Sequence, residues 1–243
     1  MDPKFEPVMS GGTPTPLPPS ASIPVAVAVD SNRVLRNTYW LLALSLLPTI
    51  AGAFVGMQLN FFSLYQTSPI MMPLLMLAVM LGSLWVVTLL RNSAWGVVAL
   101  FGFTFISGLV LTPILTVAAG FRNGGQLVAL SGGLTAGVFF ALAAYATVSK
   151  RDFSFLGKFL FVGVILLLIA MVANVFFQVP AASLALSAIA VLLFSLYLLY
   201  DLSNIVRGGE TNYVMATMNL FLDLFNIFIS LLNLLLAFSG QRD

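Results

Sequence analysis

Asp201 and Asp223 lie on either side of the polar segment "NIVRGGETNY" (204–213), each inside a long apolar run of a chain that hardly uses charge. A carboxylate in a membrane helix costs about 2.5–3.5 kcal/mol even on the lenient insertion scale, so an acid kept there has a task beyond packing. If two such carboxyls come within about 5 Å, burial and like charge both oppose double ionisation, and the pair shares a proton. That is a pH-sensitive element made without histidine. The same pair is half of a cation site. Calcium takes about six to eight oxygens, and Asp201 and Asp223 with Asn204, Asn226 and water supply several, which predicts weak binding in competition with protons.

The residues around the acids repeat at helical spacing. Asn219, Asp223, Asn226, Ser230 and Asn233 follow steps of four, three, four and three, which sets them along one face of a helix. Ser183, Ser187, Tyr197, Asp201 and Asn204 share a face in the preceding apolar run. Such stripes avoid lipid and face other helices or water. For the Ser and Asn residues, interhelical hydrogen bonding is the plainer role, at about 0.5–1 kcal/mol per bond. The alternative is a polar path through Asn204, Asn219, Asn226 and Ser230. Arg91 ends an earlier apolar run on the same side of the membrane as Asp201. It is a candidate latch on the acids, or a plain headgroup-facing cation. Glu210 and Arg207 belong to the exposed loop and are expected to be solvated.

The elements that must position these residues are membrane helices. The 243-residue chain is 60% hydrophobic and 7% charged, against about a quarter charged in a soluble domain. A spanning helix needs about 20 mostly apolar residues, and seven stretches qualify: 38–58, 69–90, 95–119, 126–148, 157–178, 181–204 and 213–238. Alternating ten-residue strands are missing, so the expected fold is an all-α integral membrane protein with seven transmembrane helices. Asp201 then lies roughly 7 Å into the sixth span and Asp223 roughly 15 Å into the seventh, at 1.5 Å per residue. Residues 1–33, rich in Pro, Gly, Ser and Thr, read as a flexible cytoplasmic tail, and 34–243 as the transmembrane domain. "VAVAV" is too short an apolar core for a cleaved signal.

Cysteine and histidine are both absent, which excludes disulfides, thiolate chemistry and the commonest zinc ligand and general base. The formal charge of +2 is too small and scattered for nucleic acid. Lys and Arg favour cytoplasmic loops. Arg33, Arg36, Arg91, Lys150, Arg151, Lys158 and Arg207 fall on one side, against Arg122 and Arg242 on the other, which predicts the N-terminus in the cytoplasm and the C-terminus outside. "GAFVG" (Gly52, Gly56) and "GGLTAG" (Gly133, Gly137) have the small-xxx-small spacing that lets helices approach. Pro73, Pro113 and Pro180 are expected to bend or start helices.

Four segments, in order, carry a resemblance to a known family: "VLRNTYWLLALSLLPT" entering the first span, "GLVLTPIL" in the third, "DFSFLGKFLFVGVILLLIAMVANVFFQVPA" from the fourth loop through the fifth span, and "SNIVRGGETNYVMATMNLFLDLFNIF" at the last turn. Together they resemble the Bax inhibitor-1 family of small seven-helix membrane proteins, in its bacterial YccA-like branch. The resemblance implies six helices surrounding a central seventh, in the bacterial inner membrane. It implies a calcium leak in which an acid on each of the last two helices forms a pH sensor, at the positions of Asp201 and Asp223, locked by a basic residue matching Arg91. It also implies a partner, a membrane-embedded ATP-dependent protease bound through the N-terminal tail. Calcium would be the transported or regulatory ion, with no organic cofactor.

Enzyme readings fit less well. "YD" at Tyr200 and Asp201 with a second membrane aspartate is similar to the presenilin-type pattern, but the second acid arrives in "LFLD", without GxGD or a following PAL. Retinal needs a Schiff-base lysine, and the seventh span has none. No catalytic residue is therefore assigned.

Overall fold

The computed structural model describes residues 25–149 and 151–240, and no strand occurs among them. The helices are α1 (Val25–Gln58), α2 (Phe62–Thr67), α3 (Met71–Leu90), α4 (Trp95–Ala119), α5 (Gly124–Ser149), α6 (Leu156–Phe177), α7 (Pro180–Val206) and α8 (Tyr213–Gly240). Seven of them are long and apolar enough to cross a membrane, as expected; α2 is a single short turn between the first two spans. The sixth and seventh spans are α7 and α8. Because α1 begins at Val25, the last residues of the stretch read as a tail are helical; residues 1–24 lie outside the described residues.

Local chemistry sets the breaks between helices. At the α6–α7 turn, Gln178 takes a left-handed conformation (φ 52°), Val179 is extended, and Pro180 opens α7, because the residue before a proline avoids the helical region and proline suits a helix start. The α7–α8 turn uses Gly208 at φ 77°, a conformation glycine adopts without steric cost. Pro73 sits in the first turn of α3. Pro113 falls inside α4 and Pro48 inside α1, where the missing N–H leaves a carbonyl of the helix ladder unpaired.

α1 and α4 run parallel and make the broadest contact of the bundle, followed by the antiparallel pair α7 and α8. The α1–α4 seam depends on Gly52, Gly56 and Gly108. A Cβ on Gly52 would overlap the Phe105 carbonyl, and one on Gly108 would overlap that of Thr49. The expectation for Gly133 and Gly137 is not met: each faces open space on α5, because that face of the helix turns away from the bundle.

α8 packs extensively on α1, α4, α5 and α7, while α3 packs on α4 and α6 on α7. Four of the other six spans therefore meet α8 broadly, and α3 and α6 make no broad contact with it, so the packing does not establish the expected ring of six around a central helix. Large apolar side chains on the outer faces are exposed, including Leu81, Phe161 and Leu192, as a surface facing hydrocarbon requires.

One end of the bundle is basic. Arg33, Arg36, Arg91, Arg151, Lys158 and Arg207 cluster at the N-terminal end of α1 and the turns α3–α4, α5–α6 and α7–α8, whereas Arg122 lies at the opposite end. The exposed Trp40, Trp85 and Trp95 flank the basic end, where amphipathic rings favour the headgroup region.

Candidate functional site

α7 and α8 bring the two aspartates face to face. Asp201 lies one and a half turns before the end of α7 and Asp223 ten residues into α8. Their exposures are 8% and 4%. The two side chains stand within hydrogen-bonding range of each other, and Asp223 Oδ2 is fully buried with no hydrogen-bond partner. Ionised carboxylates only accept hydrogen bonds, so a bond between these two requires a proton on one of them. Buried acceptors are nearly always paired. The orphaned oxygen therefore marks a place where a proton or cation has something to gain.

The surroundings are buried and largely apolar. Leu198, Leu202, Leu220 and Ile227 are fully buried. On α8, Phe221 and Phe225 stack at 5.8 Å, two residues to either side of Asp223, and Phe103 of α4 meets Phe221 edge-on at 5.7 Å. Tyr197, one turn before Asp201, is within electrostatic reach of both acids, and Glu210 is within reach of Asp201.

The other sequence candidates are placed as follows. Asn219 is half-buried and Ser230 buried on the α8 stripe. Asn233 donates to Ser187 Oγ at 2.8 Å and Ser183 Oγ at 3.3 Å, which is the interhelical role. Asn226 donates to the Leu222 carbonyl of its own helix at 2.8 Å. Asn204 lies one turn from Asp201 toward the basic end, with Oδ1 against Gly209. Since α7 and α8 are antiparallel, Asn204 and Asn226 stand on opposite sides of the acid pair, each about 4.5 Å away along the axis. The oxygen set is split rather than gathered, and no group of three or more acidic side chains converges among the described residues. With two charged ligands at most, calcium affinity would be low.

Arg91 is exposed at the end of α3 and forms no ion pair with Asp201 or Asp223. The expected latch is not closed here, because α3 packs on α4 rather than along α7 and α8. The main chain of Arg91 contributes instead. Asn212 Nδ2 donates to the Arg91 carbonyl and to Asn92 Oδ1, both at 2.9 Å. Asn212 Oδ1 accepts from the amides of Val214 at 3.0 Å and Met215 at 3.1 Å. Asn212 is thus the N-cap of α8 and its tether to the α3–α4 turn.

A second stitch joins the α5–α6 turn. Ser203 Oγ donates to the Arg151 carbonyl at 3.0 Å, and Arg207 pairs with Asp152. The Arg207 guanidinium, with Ser154 assisting, holds the Asp152 carboxyl well below the usual carboxylate range. Arg207 is therefore exposed but partnered, a correction to the expectation of simple solvation; Glu210 accepts from the Asn212 amide at 2.7 Å. Ser154, Tyr200, Ser203, Asn204, Arg207 and Gly209 line an open polar pocket of about 160 Å³ one turn beyond Asp201. The tether at Asn212 has a signature that sequence reasoning passed over, an asparagine directly before the apolar helical run "YVMATM".

The bundle and its paired acids define a seven-span integral membrane protein with a buried carboxyl site. Residues 31–240 match the family profile described as "Inhibitor of apoptosis-promoting Bax1", and the chain belongs to the Bax inhibitor-1 family. It is 39% identical to the "Modulator of FtsH protease YccA" of Escherichia coli K12, over 85% of this chain and 91% of that one. The "Inner membrane protein YccA" of Escherichia coli O6:H1 is similar to the same extent. A membrane protein of Vibrio cholerae is 39% identical over 85% of this chain and 90% of its own length.

Proposed function

We propose that this chain is a bacterial inner-membrane protein that modulates a membrane-bound ATP-dependent protease of the FtsH type, and is not itself an enzyme. The observation that carries this reading is the similarity to the Escherichia coli modulator along nine-tenths of that protein. The second relative's name supports the inner membrane. In this reading the basic end faces the cytoplasm, with the N-terminus inside and the C-terminus outside, in line with the enrichment of Arg and Lys there. The stitched turns then form the cytoplasmic face, and the N-terminal segment is the part of the chain that engages the protease. Purified protein co-reconstituted with the protease is expected to slow degradation of a membrane substrate. Removing residues 1–24 is expected to relieve the restraint while leaving the helical fold intact. Unchanged degradation with the full chain would sink the reading.

A second reading is favoured by the orphaned Asp223 oxygen beside Asp201: a proton-sensitive cation leak, with calcium as the carried ion. Asp201 and Asp223 form the gate, and Asn204, Asn219, Asn226 and Ser230 line the path. Arg91 becomes a latch only if the end of α3 moves toward α7. Calcium flux into proteoliposomes across pH 5 to 8 tests it, against Asp201→Asn and Asp223→Asn. The expected result is a pH-dependent flux that either substitution flattens; identical flux in parent and variants would rule the pair out as gate.

A further inference from the structure

α1 and α5 both pack on α8 yet stand apart over much of their length. The gap between them is an apolar groove of about 660 Å³ with α8 as its floor. It opens sideways: Leu46, Ile50 and Phe140 on its rim are 50%, 66% and 68% exposed. Small residues make the room, with Ala43 on one wall and Gly132 and Ala136 on the other, and a Cβ on Gly132 would meet nothing within 4 Å. Tyr39 reaches across from α1 and meets Phe139 edge-on at 5.6 Å.

Two features of the groove select its occupant. The first is polarity. The threonines of the wall, Thr49 and Thr135, donate their hydroxyls to carbonyls one turn back at 2.9 and 2.8 Å, so neither has a proton left to offer a ligand. The second is length. The lining runs from Tyr39 to Ile50 on α1 and from Gly132 to Ala143 on α5, which is about 16 Å at 1.5 Å per residue. That is roughly half of the 30 Å hydrocarbon thickness. A partner's spanning helix would need a complementary surface across the whole core, whereas a flexible chain fits half of it.

We infer that the α1–α5 groove is an acyl-chain site, filled by one hydrocarbon tail of a phospholipid from the surrounding bilayer. The tail lies along Leu224, Phe225 and Phe228 of α8. Phe221 and Phe225 turn toward the groove and Asp223, two residues from each, turns toward α7, as about 100° per residue requires. The lipid therefore rests on the back of the helix whose other face carries the acid.

The test uses full-length protein in phosphatidylcholine vesicles doped with phosphatidylcholine carrying a diazirine at mid-chain, followed by photolysis and peptide mapping. Labelling is expected to concentrate several-fold on residues 39–50 and 132–143 relative to the lipid-facing Leu81 and Phe161. The double substitution Ala43→Phe with Ala136→Phe is expected to reduce it to their level. If that variant fails to fold by circular dichroism, Gly132→Val serves instead, and the contrast within the parent protein stands by itself. Even labelling around the bundle, or enrichment untouched by filling the groove, would overturn the inference. So would a second protein chain cross-linked through Ala136→Cys in place of lipid.

Discussion

Replacing Gly108 by alanine tests the reasoning about the α1–α4 seam most directly. The added Cβ would overlap the Thr49 carbonyl oxygen and stand 2.8 Å from the Ala53 amide nitrogen and 3.0 Å from Gly52 Cα, where ordinary contact begins at 3.4 Å. All three neighbours are backbone, so no side chain can rotate out of the way and the helices must part. A gap of about 0.5–1 Å already forfeits a quarter to a half of each contact it opens, and this is the broadest interface in the bundle. The expected cost is about 3 kcal/mol, at the upper end of the overpacking range, or roughly a hundredfold in the folding equilibrium. Reversible unfolding in bicelles, followed by steric trapping, measures it. Gly102→Ala is the control, on the same helix with nothing within 4 Å of the new atom, and is expected within about 0.5 kcal/mol of the parent. If the two variants are equally stable, the helices are not held apart by backbone contact and the argument fails.

Four further outcomes are expected. Asn212→Ala removes the α8 cap and the tether to Arg91 and Asn92, and should cost about 1–2 kcal/mol, with faster amide exchange in residues 213–216 as the readout. Asn233→Leu gives up the bonds to Ser183 and Ser187 and should cost no more than about 1 kcal/mol by the same unfolding assay. Because Arg207 depresses the Asp152 carboxyl, their pairing contributes above the ordinary carboxylate value near 3.8 and is lost only as pH falls through the lower folded value; Arg207→Gln should raise the Asp152 ¹³C titration toward that ordinary value, with Ser154 still holding it somewhat below. Gly133→Ala, facing open space, should leave stability within about 0.5 kcal/mol.

What the sequence made legible was what periodicity and charge encode. Seven apolar runs longer than a bilayer is thick give seven helices, and the step of three and four places Asp223 with Asn233 on one face whatever the tertiary packing. The meeting of Asp201 and Asp223 followed because a short turn forces two striped helices to lie antiparallel. Neighbour identity was less legible. Gly52 and Gly133 carry the same local spacing, yet one meets a helix and the other none, since spacing does not name the partner. Arg91 was placed at the correct end, but whether its side chain reaches an acid depends on which helix α3 packs against. The pairing of Arg207 with Asp152 joins residues 55 positions apart, a distance at which local pattern carries no information.

The stitches made by Asn212, Ser203 and Arg207 join three turns at the basic end. Among the described residues, no hydrogen bond joins the turns at the opposite end. Away from that end the helices are held by the close α1–α4 seam at Gly52, Gly56 and Gly108 and by the bonds of Asn233 to Ser183 and Ser187. The three tied turns therefore act as one linked plate: whatever displaces the α3–α4 or the α5–α6 turn pulls on the junction of α7 and α8, and so on the two helices that carry Asp201 and Asp223.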